Sequence, residues 1–252
     1  MGGGEIAAIL AAAIAAGAIN AVVGSGSLIT FPTLLAFGLA PVIANVSNNV
    51  GLVPGNVSGA LGYREELSGQ RRRLVTLGIA SLAGSVGGAC ALLALPPGVF
   101  KVVVPALIIV ACVLVVLQPR LSAWVAARGK ERAEHGGPWL FCGVFLAGVY
   151  GGYFGAAQGV LVIGLLGVFL TETLQRINAG KNVLVTIVNG AAAVVFIIFA
   201  HVDWLVVLLI ATGSTAGGLL GARLGRRLPE LALRVIVVVI GVVAAVKLIF
   251  FP

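Results

Sequence analysis

The chain carries the same sequence pattern twice, and few folds accommodate that repetition. Asn49-Val-Gly-Leu-Val-Pro-Gly-Asn56 is echoed by Asn182-Val-Leu-Val-Thr-Ile-Val-Asn189, each with two asparagines seven positions apart. Upstream, Ala16-Gly17 and Gly24-Ser25-Gly26-Ser27 are echoed by Ala147-Gly148 and Gly155-Ala156-Ala157-Gln158. Downstream, Gly87-Gly88 recurs as Gly217-Gly218, and Phe100-Lys101-Val102 as Leu233-Arg234-Val235. The separation stays near 130 residues throughout. Both copies must therefore satisfy the same packing and the same polar demands, in one environment.

That environment is lipid. Of 252 residues, 60% are hydrophobic and 10% charged, against about 45–50% and about 25% in soluble domains. The polar residues are too few to cover a water-soluble globule. Thirty-six glycines suit helices that pack closely or break within a bilayer. The expected fold is all-α, with polar, glycine-broken segments at matching places in two halves, the pattern of secondary transporter folds.

Five apolar segments per half are expected: 5–23, 27–43, 44–62, 74–95 and 99–117, then 139–155, 157–173, 179–200, 204–222 and 231–251. Residues 1–117 form a first repeat, 118–138 a basic linker and 139–252 a second repeat. The second segment of each half is barely long enough for a crossing, which takes about 17–25 residues. Charge decides in favour of a crossing. Arg64 and Arg71–Arg73, then Arg120, Arg128, Lys130 and Arg132, then Arg223, Arg226 and Arg227 lie in three loops. Ten crossings put all three on one face, cytoplasmic by the positive-inside rule, with both termini outside. Five crossings per half make the second copy inverted relative to the first. The apolar stretch Ile6–Ile19 lacks a basic leader and reads as a first membrane helix rather than a signal peptide.

The net charge of +8 belongs to these orienting loops. With no aromatic-rich basic patch, nucleic acid is not an expected partner. Cys90, Cys112 and Cys142 show no metal-ligand spacing, and His135 and His201 lie far apart. No metal, cofactor or catalytic residue is expected: the spans hold no nucleophile–base pair or acidic pair.

The polar residues of the spans are the candidate site. Around the first glycine break lie Asn20, Ser25, Ser27 and Thr30, and around the second Gln158. A helix beginning after a break aims N–H groups and a partial positive charge at it, which favours anions. The alternative is that these glycines only let helices pack closely. Asn48, Asn49 and Asn56 in the first half and Asn182, Thr186 and Asn189 in the second face inward or into a wet cavity, because unpaired amides are costly in hydrocarbon. Asn49 and Asn56, like Asn182 and Asn189, are about two turns apart and share a helix face. Interhelical hydrogen bonding without ligand contact is the alternative there. Lys181 stands where the first half has Asn48. Its ammonium either meets an anion or snorkels to the inner interface. Arg176 is expected at that interface, paired with Glu172. The substrate contacts expected are Ser25, Ser27, Asn49, Gln158, Lys181 and Asn182, with Asn20, Thr30, Asn48, Asn56, Thr186 and Asn189 lining the path.

Gly24-Ser25-Gly26-Ser27-Leu28-Ile29-Thr30-Phe31-Pro32 resembles the glycine-rich motif leading to a proline in the sulfite exporter TauE/SafE family, the toluene-sulfonate uptake permeases. Ala44–Asn56, Gly155–Gly159 and Gly180–Asn189 resemble that family's paired motifs. Where a glycine run is usual, this chain has Ala156-Ala157-Gln158. The resemblance implies a transporter, an exporter by the family's name, moving sulfite, a sulfonate, sulfoacetate or a related small anion across a bacterial or archaeal plasma membrane. The expected partners are that anion, the lipid bilayer and, as an open option, a second copy in a homodimer. An anion channel and a non-transporting membrane anchor or receptor subunit are the competing readings.

Overall fold

The computed structural model describes residues 2–127, 136–224, 235, 238–243, 245 and 246. The described regular structure is entirely helical: α1 (Gly3–Val22), α2 (Ser27–Ala36), α3 (Pro41–Gly62), a short 3-10 turn (Arg64–Leu67), α4 (Arg71–Ala94), α5 (Pro97–Ala127), α6 (Gly137–Tyr153), α7 (Gln158–Phe169), α8 (Leu174–Phe199) and α9 (Trp204–Leu224). Most of the expected tenth segment, the Arg226-Arg227 loop, and Arg128, Lys130, Arg132 and His135 lie outside the described residues.

Among the described residues five helices are long and apolar enough to cross a membrane: α1, α4, α8, residues Gly98–Leu117 of α5 and residues Trp204–Arg223 of α9. This is a membrane protein. α3 has 22 residues, enough length, but its asparagines lower its apolarity. The expected boundaries shift where local chemistry overrides apolar content. Pro41 occupies the first turn of α3, where its missing N–H costs nothing, so the second segment ends at Ala36 instead of 43. Thr173 caps α8 by accepting from the Arg176 N–H, which brings Arg176 and Asn178 into the helix. α5 continues through Ala127 into the expected linker.

The short segments differ most from expectation. α2 has 10 residues and α7 has 12, about 15 and 18 Å at 1.5 Å per residue, against an apolar core of about 30 Å. The turns before them, which two full crossings would leave at the membrane surface, are buried: Val23, Ser25, Ala156 and Ala157 are at most 2% exposed.

α1 packs on α9 and α6 on α4. α3 packs on α9 and α8 on α4. α2 lies against α1 and α3, α7 against α6 and α8, and α3 meets α8. Exchanging α1–α4 with α6–α9 maps these pairings onto one another. The closest crossings use glycine. A Cβ on Gly217 would lie 2.0 Å from the Ile14 carbonyl oxygen, and one on Gly88 would lie 2.0 Å from that of Val149. Of the repeated Gly-Gly pairs, Gly88, Gly217 and Gly218 are contacts, whereas Gly87 faces open space.

Candidate functional site

α1 and α6 end in the same way. Gly24 (φ 85°) and Gly155 (φ 77°) each take a left-handed conformation that costs a glycine nothing. Their N–H groups reach back to the carbonyls of Ile19 and Tyr150. The chain then reverses into α2 and α7, and the two reversals meet. The Gly159 N–H donates to the Gly24 carbonyl at 3.1 Å. A Cβ on Gly24 would lie 2.6 Å from the Gly159 Cα, and one on Gly159 would lie 2.5 Å from the Gly24 Cα. Phe154 packs edge-on against Phe31 of α2 at 5.3 Å. Ala157, the only non-glycine residue with positive φ among the described residues, starts α7.

The C-terminal carbonyls of each broken helix are held by the other half. From α8, the Asn178 amide donates to the Ala21 carbonyl at 3.1 Å and the Asn182 amide to the same oxygen at 3.2 Å. Lys181 Nζ donates to the Asn20 carbonyl at 2.8 Å and to that of Ala21 at 3.3 Å. From α3, the Asn45 amide donates to the Tyr153 carbonyl at 3.1 Å. Lys181 does not snorkel. It is 0% exposed, and its stem lies against both Gly24 and Gly159. Its ammonium sits on the negative end of α1, a favourable place for a cation.

The other expected residues divide into three groups. Asn20, Asn56, Asn49 and Asn189 bond to one another or to backbone. Asn20 Nδ2 donates to Asn56 Oδ1, Asn20 Oδ1 accepts from the Gly26 N–H, and Asn49 Nδ2 donates to Asn189 Oδ1 at 3.4 Å. Thr186 donates to the Asn182 carbonyl of its own helix and is not brought to the cluster, and Ser27 is half-buried. The third group is buried with atoms that have no hydrogen-bond partner among the described residues: Ser25 Oγ, Thr30 Oγ1, Asn48 Oδ1, Asn49 Oδ1, Asn56 Nδ2 and both amide atoms of Gln158. The Gln158 side chain lies flat over Gly151.

The helix N-termini offer less than expected. The Gly26 N–H is taken by Asn20, and those of Leu28, Ile29, Gln158, Gly159 and Val160 by nearby carbonyls. Anion recognition falls to side chains. The expected list also omitted Asn45 and Asn178, which hold the broken helices. Each lies one turn before a repeated asparagine, Asn49 or Asn182, so the signal was present in the sequence. Away from this centre, Glu172 pairs with Arg176 as expected and also with Arg73 at 2.8 Å. Burial raises the Glu172 carboxyl, but the hydrogen bonds from Arg176 and Arg73 outweigh it and hold the group below the usual carboxylate range.

Membrane-embedded helices interrupted around a shared cluster of buried polar groups define the transporter class rather than a soluble enzyme. The sulfite exporter TauE/SafE family model matches residues 9–248, and the chain belongs to that family. It is a membrane transporter of the TauE/SafE type. It is 25% identical over 244 residues to the probable membrane transporter protein YfcA of Escherichia coli (strain K12), covering 94% of this chain and 87% of that protein. It is 26% identical over 256 residues to the probable membrane transporter protein ORF9 of Sinorhizobium sp, covering 98% and 93%. A probable membrane transporter protein of Haemophilus influenzae is 25% identical over 235 residues, covering 92% and 89%. No solved structure matches the chain.

Proposed function

We propose that this chain is a secondary transporter of a small sulfur-containing or organic oxyanion, such as sulfite, a sulfonate or sulfoacetate, working by alternating access in a bacterial or archaeal plasma membrane. One observation carries the reading: buried, unpartnered polar atoms on Ser25, Thr30, Asn56 and Gln158, in the turns and helices gathered around the Gly24–Gly159 junction. An unpaired buried donor or acceptor costs about 1–3 kcal/mol, and a fold has no reason to keep such groups unless something else satisfies them. Hydroxyls and amide N–H groups donate to oxyanion oxygens. Lys181 has three protons and places two on carbonyls, which leaves one for an anion.

The two half-chains, 1–117 and 139–252 on either side of the basic linker, act as inverted repeats in this reading. The helix pairs α1–α2 and α6–α7 enter from opposite faces as re-entrant hairpins, so the ten crossings expected from sequence become six, with the tenth helix, plus two hairpins. This keeps every basic loop on the cytoplasmic face. Contact between the hairpin tips supports a closed state and alternating access over an open channel. A membrane anchor has no use for buried polar atoms without partners. The family's description as sulfite exporters supports export as the direction. A homodimer stands as a proposal without a role at the site.

Counterflow in proteoliposomes tests the function. Preloaded unlabelled sulfite or a sulfonate should drive saturable accumulation of the labelled anion. Non-saturable flux without counterflow would favour a channel, and no flux with any small oxyanion would favour the anchor.

A further inference from the structure

We propose that the end of α6 binds a small monovalent cation, at the place that corresponds to the Lys181 ammonium at the end of α1. The inference rests on the correspondence between the two halves, not on the identity of the transported anion.

The two helix ends are built alike but are not neutralised alike. At α1, three donors from one face of α8, Asn178, Lys181 and Asn182, cover the carbonyls of Asn20 and Ala21. The matching face of α3 presents Asn45, Asn48 and Asn49 at the same spacing. Asn45 does what Asn178 does, donating to the Tyr153 carbonyl at α6. Asn48 stands in place of Lys181, so no tethered cation reaches this end. The carbonyls that correspond to Asn20 and Ala21 are those of Gly151 and Gly152, and no α3 side chain donates to either.

Oxygen atoms gather where the ammonium is missing. Asn48 is 3% exposed and Asn49 is 7% exposed, and the Oδ1 of each lacks a partner among the described residues. Asn49 turns its amide nitrogen away, toward Asn189 Oδ1. Two orphaned amide oxygens beside the free carbonyls of a helix end form a neutral, oxygen-only set. A helix C-terminus carries about half a negative charge. Backbone carbonyls at such ends coordinate sodium in transporters built from discontinuous helices. A divalent ion would want carboxylates, and none is present here. The asymmetry then has a chemical meaning: one half carries its cation covalently, as Lys181, and the other takes it from solution. Binding there steadies the α6–α7 turn, which carries Gln158, and so couples the cation to the anion site.

The test is thermal unfolding of the detergent-purified full chain, with choline chloride replaced by sodium, potassium or lithium chloride at constant ionic strength and with no oxyanion present. Sodium at about ten times its Kd shifts the folding equilibrium about elevenfold, a rise of about 3–6 °C in Tm for a chain of this size. Asn48→Lys supplies the missing ammonium and should abolish the cation dependence. Asn48→Asp adds a charge to the oxygen set and should lower the half-saturating sodium concentration by about tenfold. A wild-type Tm equal in choline and all three alkali chlorides overturns the proposal. So does an Asn48→Lys protein that keeps the full dependence. If that variant fails to fold, an unchanged half-saturation in Asn48→Asp overturns it equally. Because no oxyanion is present, failure here leaves the transport reading standing, while failed counterflow alone leaves the cation site standing.

Discussion

At the residue scale, burial without partnership separates function from support. Ser25 Oγ is buried and bonds to nothing among the described residues, so Ser25→Ala removes no interaction of the folded chain. Its stability should hold or rise by about 1 kcal/mol as an unsatisfied group disappears, while affinity for the anion falls. Thermal unfolding and ligand titration on the same preparation check this, and a destabilised variant would make Ser25 structural. Lys181 serves both purposes. Lys181→Gln keeps a donor for the α1 carbonyls but removes the charge, and a hydrogen bond to a charged group contributes about 1.5–3 kcal/mol. Affinity for sulfate should therefore fall more than affinity for a monoanionic sulfonate, by about one decade or more. Equal or absent losses would confine Lys181 to capping α1. The sequence showed Lys181 as a charge beside a repeated asparagine. It did not show the direction of that charge, because a lysine stem reaches an interface or a neighbouring helix equally well. Its place was set by the unmet carbonyls of α1, a tertiary demand that no local pattern records.

At the element scale, the two glycine turns work as one joint. Gly24→Ala and Gly159→Ala each drive a methyl into the opposing backbone, and Gly24 adds the cost of a positive φ. Each should lose about 1–3 kcal/mol, read as a lower Tm and poorer monodispersity, whereas Gly87→Ala, in open space, should cost nothing. Both breaks were legible because glycine clusters interrupt apolar runs. Their mutual contact was not, because nothing local tells two buried turns apart from two surface ones. The turn between α7 and α8 adds a pH prediction. Glu172 is held below the usual carboxylate range by Arg176 and Arg73 against the opposing effect of burial. Its pairing therefore stabilises the fold above the unfolded carboxylate value of about 4.3 and is lost as pH falls through the lower folded value. Glu172→Gln should cost about 1–2 kcal/mol near neutrality and leave a shallower loss of Tm on acidification. Parallel Tm profiles for the two proteins between neutral and acid pH would deny the pair that role.

At the scale of the whole molecule, the exchangeable pairings define which turns share a face. Arg73 at the start of α4 pairs with Glu172 between α7 and α8, and Arg176 donates to the Ser68 carbonyl. The α7–α8 turn therefore lies with the basic loop between α3 and α4. Ser47 near the start of α3 accepts from the Asp203 N–H, so the α2–α3 turn lies with the α8–α9 turn. The turn after the short helix thus faces one side in the first half and the opposite side in the second, as inverted copies require. The positive-inside rule makes the basic side cytoplasmic. Single cysteines in a cysteine-free background test this with a membrane-impermeant maleimide on intact cells. Ala40→Cys and His201→Cys, both exposed, should label from outside. Ser68→Cys and Thr171→Cys, also exposed, should label only after permeabilisation. Ser25→Cys should resist the reagent from both sides, because the turn that carries it is buried. Labelling of Ala40→Cys and Thr171→Cys from the same face would make the two halves parallel, and the pairing of α1 with α9 and of α6 with α4 would then need another explanation. Rapid labelling of Ser25→Cys from the cytoplasmic side alone would instead make α1 and α2 two full crossings and restore the count of ten.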